Sequence, residues 1–470
     1  MEKSAGERGG PRYSLTERLA DFTVGLRYEA IPAEVAKQAC LHLLDFVGVA
    51  LAGSREQAAR AVPELVRAMG GAPEATLWGS GGRVPAALAA LANGSVGHHL
   101  ELDDGHILGH VHPAASLIPA AFALAEAHAG GGRELVAAIV AGYELLIRVG
   151  RGLAASAMYD RGFHGPGLLG AFGAAAASAV MLRLDREPAA HALGNCSLGP
   201  AASFQAFKEG AAVKDLYCGW PAMTGMMAAQ FAARGVSGPR ELFEGKLGFA
   251  RAVTDRCDLA SITADLGDAW LLPTTYIKRH SACSFAHTMI DALLDLPGVG
   301  SIPVDEIVRL QVSTHRFAAD LDEPAPQTIT AAKSSLPFCA ALALRRGRPL
   351  LADFTPEALA DPAVRALAAR VAVRLDPDLD ARHAAREDRR PARVEVVLRS
   401  GKILTAEREV ARGWPEEPFS AEEVIGKFRA LVEPQAGPAQ TQRLLETILR
   451  LPTLPDVSPL GRLLELALSG

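Results

Sequence analysis

Residues 93–116 read NGSVGHHLELDDGHILGHVHPAAS and lie between two Ala-rich segments with a helical pattern. Eight titratable side chains fall within this short connection: His98, His99, Glu101, Asp103, Asp104, His106, His110 and His112. A connection between helices does not need so many imidazoles and carboxylates, whereas proton transfer and metal binding both use such clusters. The segment therefore predicts a functional site that is held between helices.

Helical patterns extend in both directions from this segment. Ser14 and Glu17 form a capping box at the start of one helix, and Pro32 suits the first turn of the next. Helices separated by short Gly or Pro breaks continue to about residue 265, without a convincing run of alternating strand residues. A second capping box, Ser420 with Glu423, begins further helices that run to the end of the chain.

The pattern changes after about residue 270. Apolar and polar residues alternate over residues 308–314 and 371–375, as in half-buried strands, and residues 394–405 predict a hairpin. Helical patterns at residues 332–344 and 356–370 lie between these strands. The chain therefore contains a small α+β unit inside a helical protein.

The predicted fold class is mainly α with a smaller α+β domain. Residues 1–268 and 406–470 form a discontinuous all-helical large domain, and residues 269–405 form a smaller α+β domain. Residues 377–392 are rich in Arg, Asp and Ala and predict a solvated loop in that smaller domain. A chain of 470 residues is long enough for both domains.

The composition argues against several classes of protein. A net charge of −5 provides no basic field for nucleic acid. Six scattered cysteines without a C-x-x-C pair argue against a disulfide scaffold, a zinc ribbon or an iron–sulfur cluster. The polar N-terminal segment lacks the apolar stretch of a secretory signal, and the longest apolar runs fall short of a membrane span. We therefore expect a cytoplasmic protein without a nucleic-acid or membrane partner.

Residues 161–170, RGFHGPGLLG, contain Gly165, Gly167 and Gly170 at the G-x-G-x-x-G spacing. A dinucleotide site requires a preceding strand, whereas residues 142–158 have a helical pattern, so we reject a nicotinamide cofactor. Free N–H groups at the start of the following helix could bind a substrate carboxylate, with His164 beside them. The alternative is that the glycines only permit close packing of helices.

Two further motifs carry cations. Lys214 precedes an apolar helix, and a cation at that position opposes the helix dipole unless an anion binds nearby. Lys278, Arg279 and His280 form a cationic triplet at the start of the second domain. Clefts between domains commonly recruit residues from both, although a solvated lysine or a basic linker is the alternative. We favour functional roles for Lys278 and His280.

At these four motifs the chain resembles the MmgE/PrpD family, which includes 2-methylcitrate dehydratase, cis-aconitate decarboxylase and iminodisuccinate epimerase. The resemblance covers nearly the whole chain. It rests on IPAEV at 31–35, LDFVGVALAG at 44–53, LDD at 102–104, HP at 112–113, GFH at 162–164, GW at 219–220, EGKLGF at 244–249 and AKSSLP at 332–337. It implies a helical domain made from both chain ends and a smaller, lid-like α+β domain. It also implies a homodimer, no required metal or organic cofactor, and a site around a di- or tricarboxylate. The site residues that it implies are Asp103, His112, His164, Lys214 and Lys278.

Some positions depart from the common family pattern. Glu101 and Gly105 stand where Asp and Thr are common, and the sequence HGPG at 164–167 stands where His-Pro-Thr-Gly is common. Ser284 stands after Cys283 where an Arg is common, and Arg is a bidentate partner for carboxylates. These departures reshape the expected pocket.

The resemblance and the residues together predict a cofactor-independent lyase acting on a di- or tricarboxylate, with dehydration of a 2-hydroxy polycarboxylate as the favoured reaction. Removing a proton from the carbon beside a carboxylate needs a placed base and cations over the developing enediolate. His112 and His164 are the candidate base and acid in either order, and Asp103 and Lys214 complete the catalytic set. The predicted substrate-binding residues are Glu101, Asp104, His106, Lys278 and His280.

Several alternatives stay open. Decarboxylation, as in cis-aconitate decarboxylase, and epimerisation, as of iminodisuccinate, share the carbanion-like intermediate with dehydration. A metallohydrolase would use His106, His112 and Asp103 or Asp104 as ligands. A helical interaction protein without catalysis would use the cluster only as loop polarity. We predict an enzyme whose partner is a small-molecule carboxylate.

Overall fold

The computed structural model describes residues 13–199, 202–349 and 351–466, and every structural statement below refers to these residues. Residues 1–12 and 467–470, which the sequence assigns to the helical domain, lie outside them. The helices of the first half are α1 (Leu15–Gly25), α2 (Ala33–Gly53), α3 (Ala61–Met69), α4 (Ala86–His99), α5 (Pro113–Ala127), α6 (Gly132–Gly152), α7 (Ser156–Asp160), α8 (Gly165–Met181), α9 (Arg186–Asn195), α10 (Phe204–Glu209), α11 (Leu216–Ala232) and α12 (Phe249–Val253).

The second half combines helices with strands. Its helices are α13 (Ser284–Leu294), α14 (Arg316–Ala319), α15 (Ile329–Ser334), α16 (Leu336–Arg346), α17 (Pro356–Ala360), α18 (Pro362–Ala368), α19 (Pro377–Ala385), α20 (Ala421–Leu449) and α21 (Ser458–Leu466). The strands of the whole chain are β1 (Ala75–Thr76), β2 (Arg83–Val84), β3 (Ile307–Thr314), β4 (Val371–Leu375), β5 (Ala392–Leu398) and β6 (Ile403–Arg408). Short 3₁₀ turns cover Tyr28–Ala30, Gln57–Arg60, Cys196–Leu198, Ala212–Asp215, Leu259–Ile262, Leu272–Thr274, Val304–Glu306, Leu351–Asp353 and Leu451–Thr453.

Two large hydrophobic cores organise these elements. The larger core contains side chains of α1 to α9, α11 and α12, together with side chains of α20 and α21. The smaller core lies between the four-stranded sheet and the helices α13, α16 and α18. Both chain ends therefore contribute to the larger core, and the prediction of a mainly α fold with a smaller α+β unit is confirmed.

The sheet of the smaller core has the strand order β4-β3-β5-β6. β3 pairs with β4 in parallel and with β5 antiparallel, and β5 and β6 form the predicted hairpin. Gly401 lies in the hairpin turn at φ +82°, a conformation that favours glycine. The alternating pattern predicted that Val308 faces the core, and this was wrong. A register shift between Ile307 and Arg309 leaves Val308 53% exposed.

Three other sequence predictions need correction. Residues 332–344 and 356–370 each form two short helices, because Ser335 and Asp361 cap a second helix in mid-segment and a proline follows within two residues. Residues 377–392 are not a solvated loop. They contain α19, whose Leu379 and His383 are buried, followed by the buried Arg390. The small ribbon of β1 and β2 was not predicted because each strand has only two residues.

Both predicted capping boxes are present. The Glu17 backbone N–H donates to the Ser14 hydroxyl at 3.2 Å, and the Ser14 N–H donates to the Glu17 carboxylate at 2.9 Å. Ser420 and Glu423 repeat this arrangement at the start of α20. Such reciprocal bonds satisfy N–H groups that the first helical turn would otherwise leave free.

One helix, α2, is long and apolar enough to cross a membrane by length and composition alone. Of its most apolar 18-residue window, 89% is buried inside the protein. Its side chains belong to the larger hydrophobic core and pack against α20. This burial is typical of the central helix of a globular fold.

Candidate active site

The segment that follows α4 leads into the site and contains a residue with strained backbone geometry. α4 ends at His99, and Glu101 then adopts the left-handed conformation at φ +53°. A residue with a side chain costs roughly 1–3 kcal/mol in such a sparsely populated region, and such outliers cluster at functional sites. The Glu101 carboxylate contacts the Lys214 ammonium through Oε1, and its Oε2 lies 2.9 Å from Lys278 Nζ. One buried carboxylate thus bridges two buried lysines.

Asp103 links this ion network to histidines. It is fully buried, and its Oδ2 lies 2.8 Å from His98 Nδ1 and 3.3 Å from His112 Nδ1. Its Oδ1 lies 3.6 Å from Lys278 Nζ. Burial alone would raise the pKa of Asp103, but His98, His112 and Lys278 outweigh it and hold that pKa well below its usual range. Asp103 is therefore an ionised carboxylate that orients the two neighbouring imidazoles.

His112 is oriented through one ring nitrogen. Its Nδ1 donates to the Asp104 backbone carbonyl at 2.5 Å and also faces Asp103. Because a proton on Nδ1 satisfies both oxygens, the neutral ring carries its free lone pair on Nε2. His112 lines the pocket, so this arrangement provides either a base or, once protonated, an acid that Asp103 supports.

His164 is the second imidazole of the pocket. It is the N-cap residue of α8, and its ring is stacked against Phe204 and Phe207 at 6.1 and 5.9 Å between ring centroids. Its Nδ1 has no hydrogen-bond partner among the described residues. Burial, followed by the charges of His112 and Lys278, lowers the pKa of His164 to about 3. The ring is therefore neutral near neutral pH.

The two lysines come from different parts of the chain. Lys214 lies in the 3₁₀ turn before α11, and Lys278 lies in the connection between α12 and α13. Their residues are only 2% and 1% exposed. Burial and the nearby Lys278 ammonium lower the pKa of Lys214 to about 7. Lys214 is therefore poised to lose or gain a proton near neutral pH.

Among the predicted substrate-binding residues, Asp104 and His280 lie outside the pocket lining, and His106 lines the pocket without a free ring nitrogen. Asp104 is turned into the helical core, where it accepts from the Ala114 N–H at 3.0 Å and from the Tyr143 hydroxyl at 2.5 Å. Its Oδ2 also lies 2.9 Å from His42 Nδ1. These contacts anchor the start of α5 and leave Asp104 outside the pocket. The sequence could not separate it from Asp103, because adjacent residues of a connection give no periodic signal.

His106 and His280 are both committed to the protein itself. Burial lowers the pKa of His106 to about 3, and its two ring nitrogens bond the Gly109 N–H at 2.9 Å and Thr274 Oγ1 at 3.0 Å. His106 touches the pocket but offers it no free nitrogen. His280 Nε2 lies 2.9 Å from Asp291 Oδ1, outside the pocket.

The positions of these side chains argue against a metal site built from the predicted ligands. The ligand set proposed for a metallohydrolase does not assemble among the described residues, since Asp104 and His106 are engaged elsewhere. Another group, His98, Asp103 and Cys218, has ligand atoms within 4.8 Å of one another. Burial raises the pKa of the Cys218 thiol, and the Lys278 ammonium stands beside Asp103. A neutral thiol and a neighbouring cation make this group a poor fit for a dication.

The glycines at the start of α8 have a packing role. A Cβ on Gly165 would lie 2.2 Å from the His110 carbonyl oxygen, and one on Gly170 would lie 2.7 Å from Ser116 Oγ. The helices α6 and α7 precede this segment, whereas a dinucleotide-binding motif requires a preceding strand. Of the two sequence interpretations of these glycines, the structure supports close packing.

The opposite side of the pocket was not predicted from the sequence. Ser284, Phe285 and Arg390 belong to the smaller core unit and face the helical residues, and we call these three the sheet wall. The helical wall consists of Glu101, His112, His164 and Lys214, which line the pocket, together with Asp103 and Lys278, which contact them from outside the lining. Arg390 carries no local signal, because it follows an Arg-rich stretch and its partners lie about a hundred residues away in sequence.

Tyr276 joins the two walls. Its backbone pairs with Gly105, with hydrogen bonds of 3.1 and 2.8 Å, and a Cβ on Gly105 would lie 2.2 Å from the Tyr276 hydroxyl. That hydroxyl also interacts with Ser284. Two of the departures from the family pattern, Gly105 and Ser284, are therefore coupled through one phenol ring.

The walls lie close together. The space enclosed between them is about 30 Å³, the volume of roughly one water molecule. Lining side chains that matter for the chemistry are Glu101, His112, His164, Lys214 and Arg390. A polycarboxylate therefore fits only when side chains of the two walls move apart.

Two models of one protein family match most of the chain. The family model of the MmgE/PrpD N-terminal domain matches residues 17–261, and that of the MmgE/PrpD C-terminal domain matches residues 280–452. A cis-aconitate decarboxylase-like protein, oryM of Aspergillus oryzae, is 28% identical over 97% of this chain and 98% of its own. The cis-aconitate decarboxylase of Aspergillus terreus is 24% identical, covering 96% of each chain, and that of Mus musculus is 25% identical, covering 96% and 93%.

Proposed function

The chain belongs to the MmgE/PrpD family, and from this premise we propose that it is a lyase that removes CO₂ from an unsaturated tricarboxylate of the cis-aconitate type. A lyase-type function is supported by the relatives, which are named as decarboxylases. The observation that carries the proposal is the helical wall, where His112, His164 and Lys214 line one pocket and the buried Lys278 reaches it through Glu101. The relatives do not favour the dehydration of 2-methylcitrate that the sequence suggested first.

Such a decarboxylation moves one electron pair through the substrate. The carbon–carbon bond to one carboxylate breaks, CO₂ leaves, and the electron pair shifts through the neighbouring double bond. It arrives on the carbon beside a second carboxylate, where an enediolate-like charge develops. Cations close to that charge lower the barrier, since electrostatic stabilisation in a site shielded from water is strong. A proton then completes the product.

The helical wall supplies both the cations and the proton for these steps. Lys214 and Lys278 stabilise the enediolate, because their ammonium groups lie on the two oxygens of Glu101 and so stand close to each other. His112 delivers the proton from Nε2, because Asp103 stabilises the imidazolium that must form beforehand. Glu101 releases the lysines when a substrate carboxylate takes its place.

Dehydration is the second candidate, and one observation favours it. The pocket holds a second imidazole, His164, whose pKa of about 3 keeps it neutral. Dehydration needs a base for the carbon-bound proton and an acid for the departing hydroxyl, whereas decarboxylation needs only one acid. His164 and His112 would supply the two roles.

A substrate panel tests the proposal. Purified protein is incubated with cis-aconitate, 2-methylcitrate, citrate and iminodisuccinate, and products are identified by NMR together with released CO₂. We expect CO₂ and one decarboxylated product from cis-aconitate, and both should form about 10²–10⁴-fold more slowly in His112→Gln. Water loss from 2-methylcitrate without CO₂ release would select the second candidate, and racemisation of iminodisuccinate would select epimerisation.

The expected partners and location stay proposals. The family resemblance motivates a cytoplasmic homodimer with a small-molecule carboxylate as its ligand. Analytical ultracentrifugation of the purified chain tests the homodimer. A mass near 49 kDa, instead of twice that value, would contradict it.

A further inference from the structure

Arg390 is a part of the pocket that the proposed chemistry leaves without a role. It lies between α19 and β5, and its backbone N–H donates to the Glu409 carbonyl at 3.2 Å, which fixes it at the open end of the β5–β6 hairpin. Its residue is only 4% exposed, and it lines the same pocket as His112 and Lys214. A charged side chain has therefore been brought from the smaller unit into the site.

The guanidinium has polar and aromatic partners but no acidic one. Its Nη1 donates to Ser284 Oγ at 2.5 Å, and its central carbon lies 4.0 Å from the centroid of the Phe285 ring. Within the described parts of the chain it forms no ion pair. A buried cation without a counter-charge is unfavourable, because it has lost its water and gained no carboxylate in exchange.

The two lysines of the helical wall differ from Arg390 in this respect. Lys214 and Lys278 both contact the Glu101 carboxylate. The imidazoles around Arg390 add no charge, because burial lowers the pKa of both His110 and His315. Arg390 is thus the cation of the pocket that remains available to an incoming anion.

We propose that Arg390 binds one carboxylate group of the substrate, a di- or tricarboxylate, and so makes the sheet wall a determinant of substrate specificity. This inference rests on the proposed function. The planar guanidinium presents paired N–H donors that match a carboxylate, and Ser284 and Phe285 hold it in one orientation. Binding of that carboxylate would also draw the two walls onto the substrate.

The test measures binding separately from turnover. Tricarballylate, a saturated tricarboxylate with no double bond or hydroxyl to react, is titrated calorimetrically into the wild type, Arg390→Gln, Arg390→Lys and Arg386→Gln. Arg386 is a matched control, because it is an exposed residue of the same segment and pairs with Asp388 at 2.7 Å. We expect Arg390→Gln to weaken binding by about 10–100-fold, as for loss of a charged hydrogen-bond pair.

The variants separate ligand binding from a structural role. Arg390→Lys keeps the positive charge but loses the paired N–H donors of the guanidinium. Its affinity for tricarballylate should therefore lie between those of the wild type and Arg390→Gln. Arg386→Gln should bind within twofold of the wild type. Arg390→Gln should keep or raise the melting temperature of the ligand-free protein, because an unpaired buried charge has been removed. A lowered melting temperature with unchanged tricarballylate affinity would overturn the inference.

The outcome also distinguishes this inference from the proposed function. If the wild type converts cis-aconitate and Arg390→Gln has the same kcat/KM, the assignment of Arg390 fails while the lyase proposal stands. If no polycarboxylate of the panel is converted, yet tricarballylate binds the wild type and not Arg390→Gln, the reaction is wrong and the carboxylate site stands.

Discussion

The helical wall and the sheet wall of the pocket balance their charges differently. In the helical wall each cation contacts a carboxylate, and Glu101 alone bridges Lys214 and Lys278. In the sheet wall Arg390 has only a hydroxyl and an aromatic face. An ion network whose charges are already paired fixes the positions of its side chains before the substrate arrives. An unpaired cation instead gains its counter-charge from the substrate. The difference suggests that one wall is preorganised for chemistry and the other selects the ligand.

The largest effect is expected from breaking the helical network at Lys278. Lys278→Met removes a charge that two buried carboxylates share, Glu101 at 2.9 Å and Asp103 at 3.6 Å. We expect the free energy of unfolding to fall by about 3–5 kcal/mol, the usual cost of leaving a buried partner uncompensated, and turnover to be lost. Chemical denaturation measures the first and the cis-aconitate assay the second.

Lys246→Met is the control for that change. Lys246 is exposed and forms no ion pair among the described residues, so its loss should alter the free energy of unfolding by less than about 0.5 kcal/mol. Equal stability losses for Lys246→Met and Lys278→Met would show that the network does not hold the helical wall together.

The next effect concerns catalysis and not stability. His112→Gln keeps a polar side chain but removes the nitrogen that exchanges protons, so kcat should fall by about 10²–10⁴-fold. The comparison variant is His128→Gln, which removes an exposed imidazole at the end of α5. We expect His128→Gln to keep normal turnover. A kcat for His112→Gln within tenfold of the wild type would remove His112 from the mechanism.

Acid should weaken the fold partly through His164. Its pKa is about 3 in the folded protein and near 6.5 in the unfolded chain, so between these values the unfolded chain binds more protons. The stability that the neutral His164 ring contributes is therefore fully present above about pH 6.5 and is lost as the pH falls towards 3. This group lowers the free energy of unfolding by at most about 1.4 kcal/mol for each pH unit of that fall.

His164→Gln isolates that contribution. The difference in unfolding free energy between the wild type and this variant, measured by urea denaturation from pH 7 to pH 4.5, should shift against the wild type as the pH falls. A difference that stays constant over this range would mean that His164 titrates alike in both states and is not shielded by the aromatic rings around it.

The two walls also differ in how far the sequence reveals them. The helical wall comes largely from local motifs: Glu101, Asp103 and His112 share one segment, and the histidine and lysine motifs at His164 and Lys214 are distinct in sequence. The fold class was predictable for the same reason, because helical periodicity and capping boxes are local signals. The role of Asp104 was not, since its partners Tyr143 and His42 lie on other helices.

Arg390 shows why the sheet wall escaped prediction. Its segment was interpreted as solvated from its composition, and only the pairing of β5 with β3, together with contacts to Ser284 and Phe285, brings it into the pocket. Those contacts span more than a hundred residues. Composition reports the average environment of a segment, whereas a single buried charge depends on tertiary placement.

The smallest predicted effect concerns Tyr276, where the two walls meet. Gly105→Ala would place a methyl group against the Tyr276 phenol and should cost about 1–3 kcal/mol of unfolding free energy, as overpacking does. Tyr276→Leu shortens the opposing side chain, so Gly105→Ala should cost less in that background, and a double-mutant cycle should give a coupling of about 0.5–3 kcal/mol. Purely additive losses would show that Tyr276 does not fill the space above Gly105. Because Tyr276 also touches Ser284, Tyr276→Leu should in addition weaken tricarballylate binding modestly, and less than Arg390→Gln does.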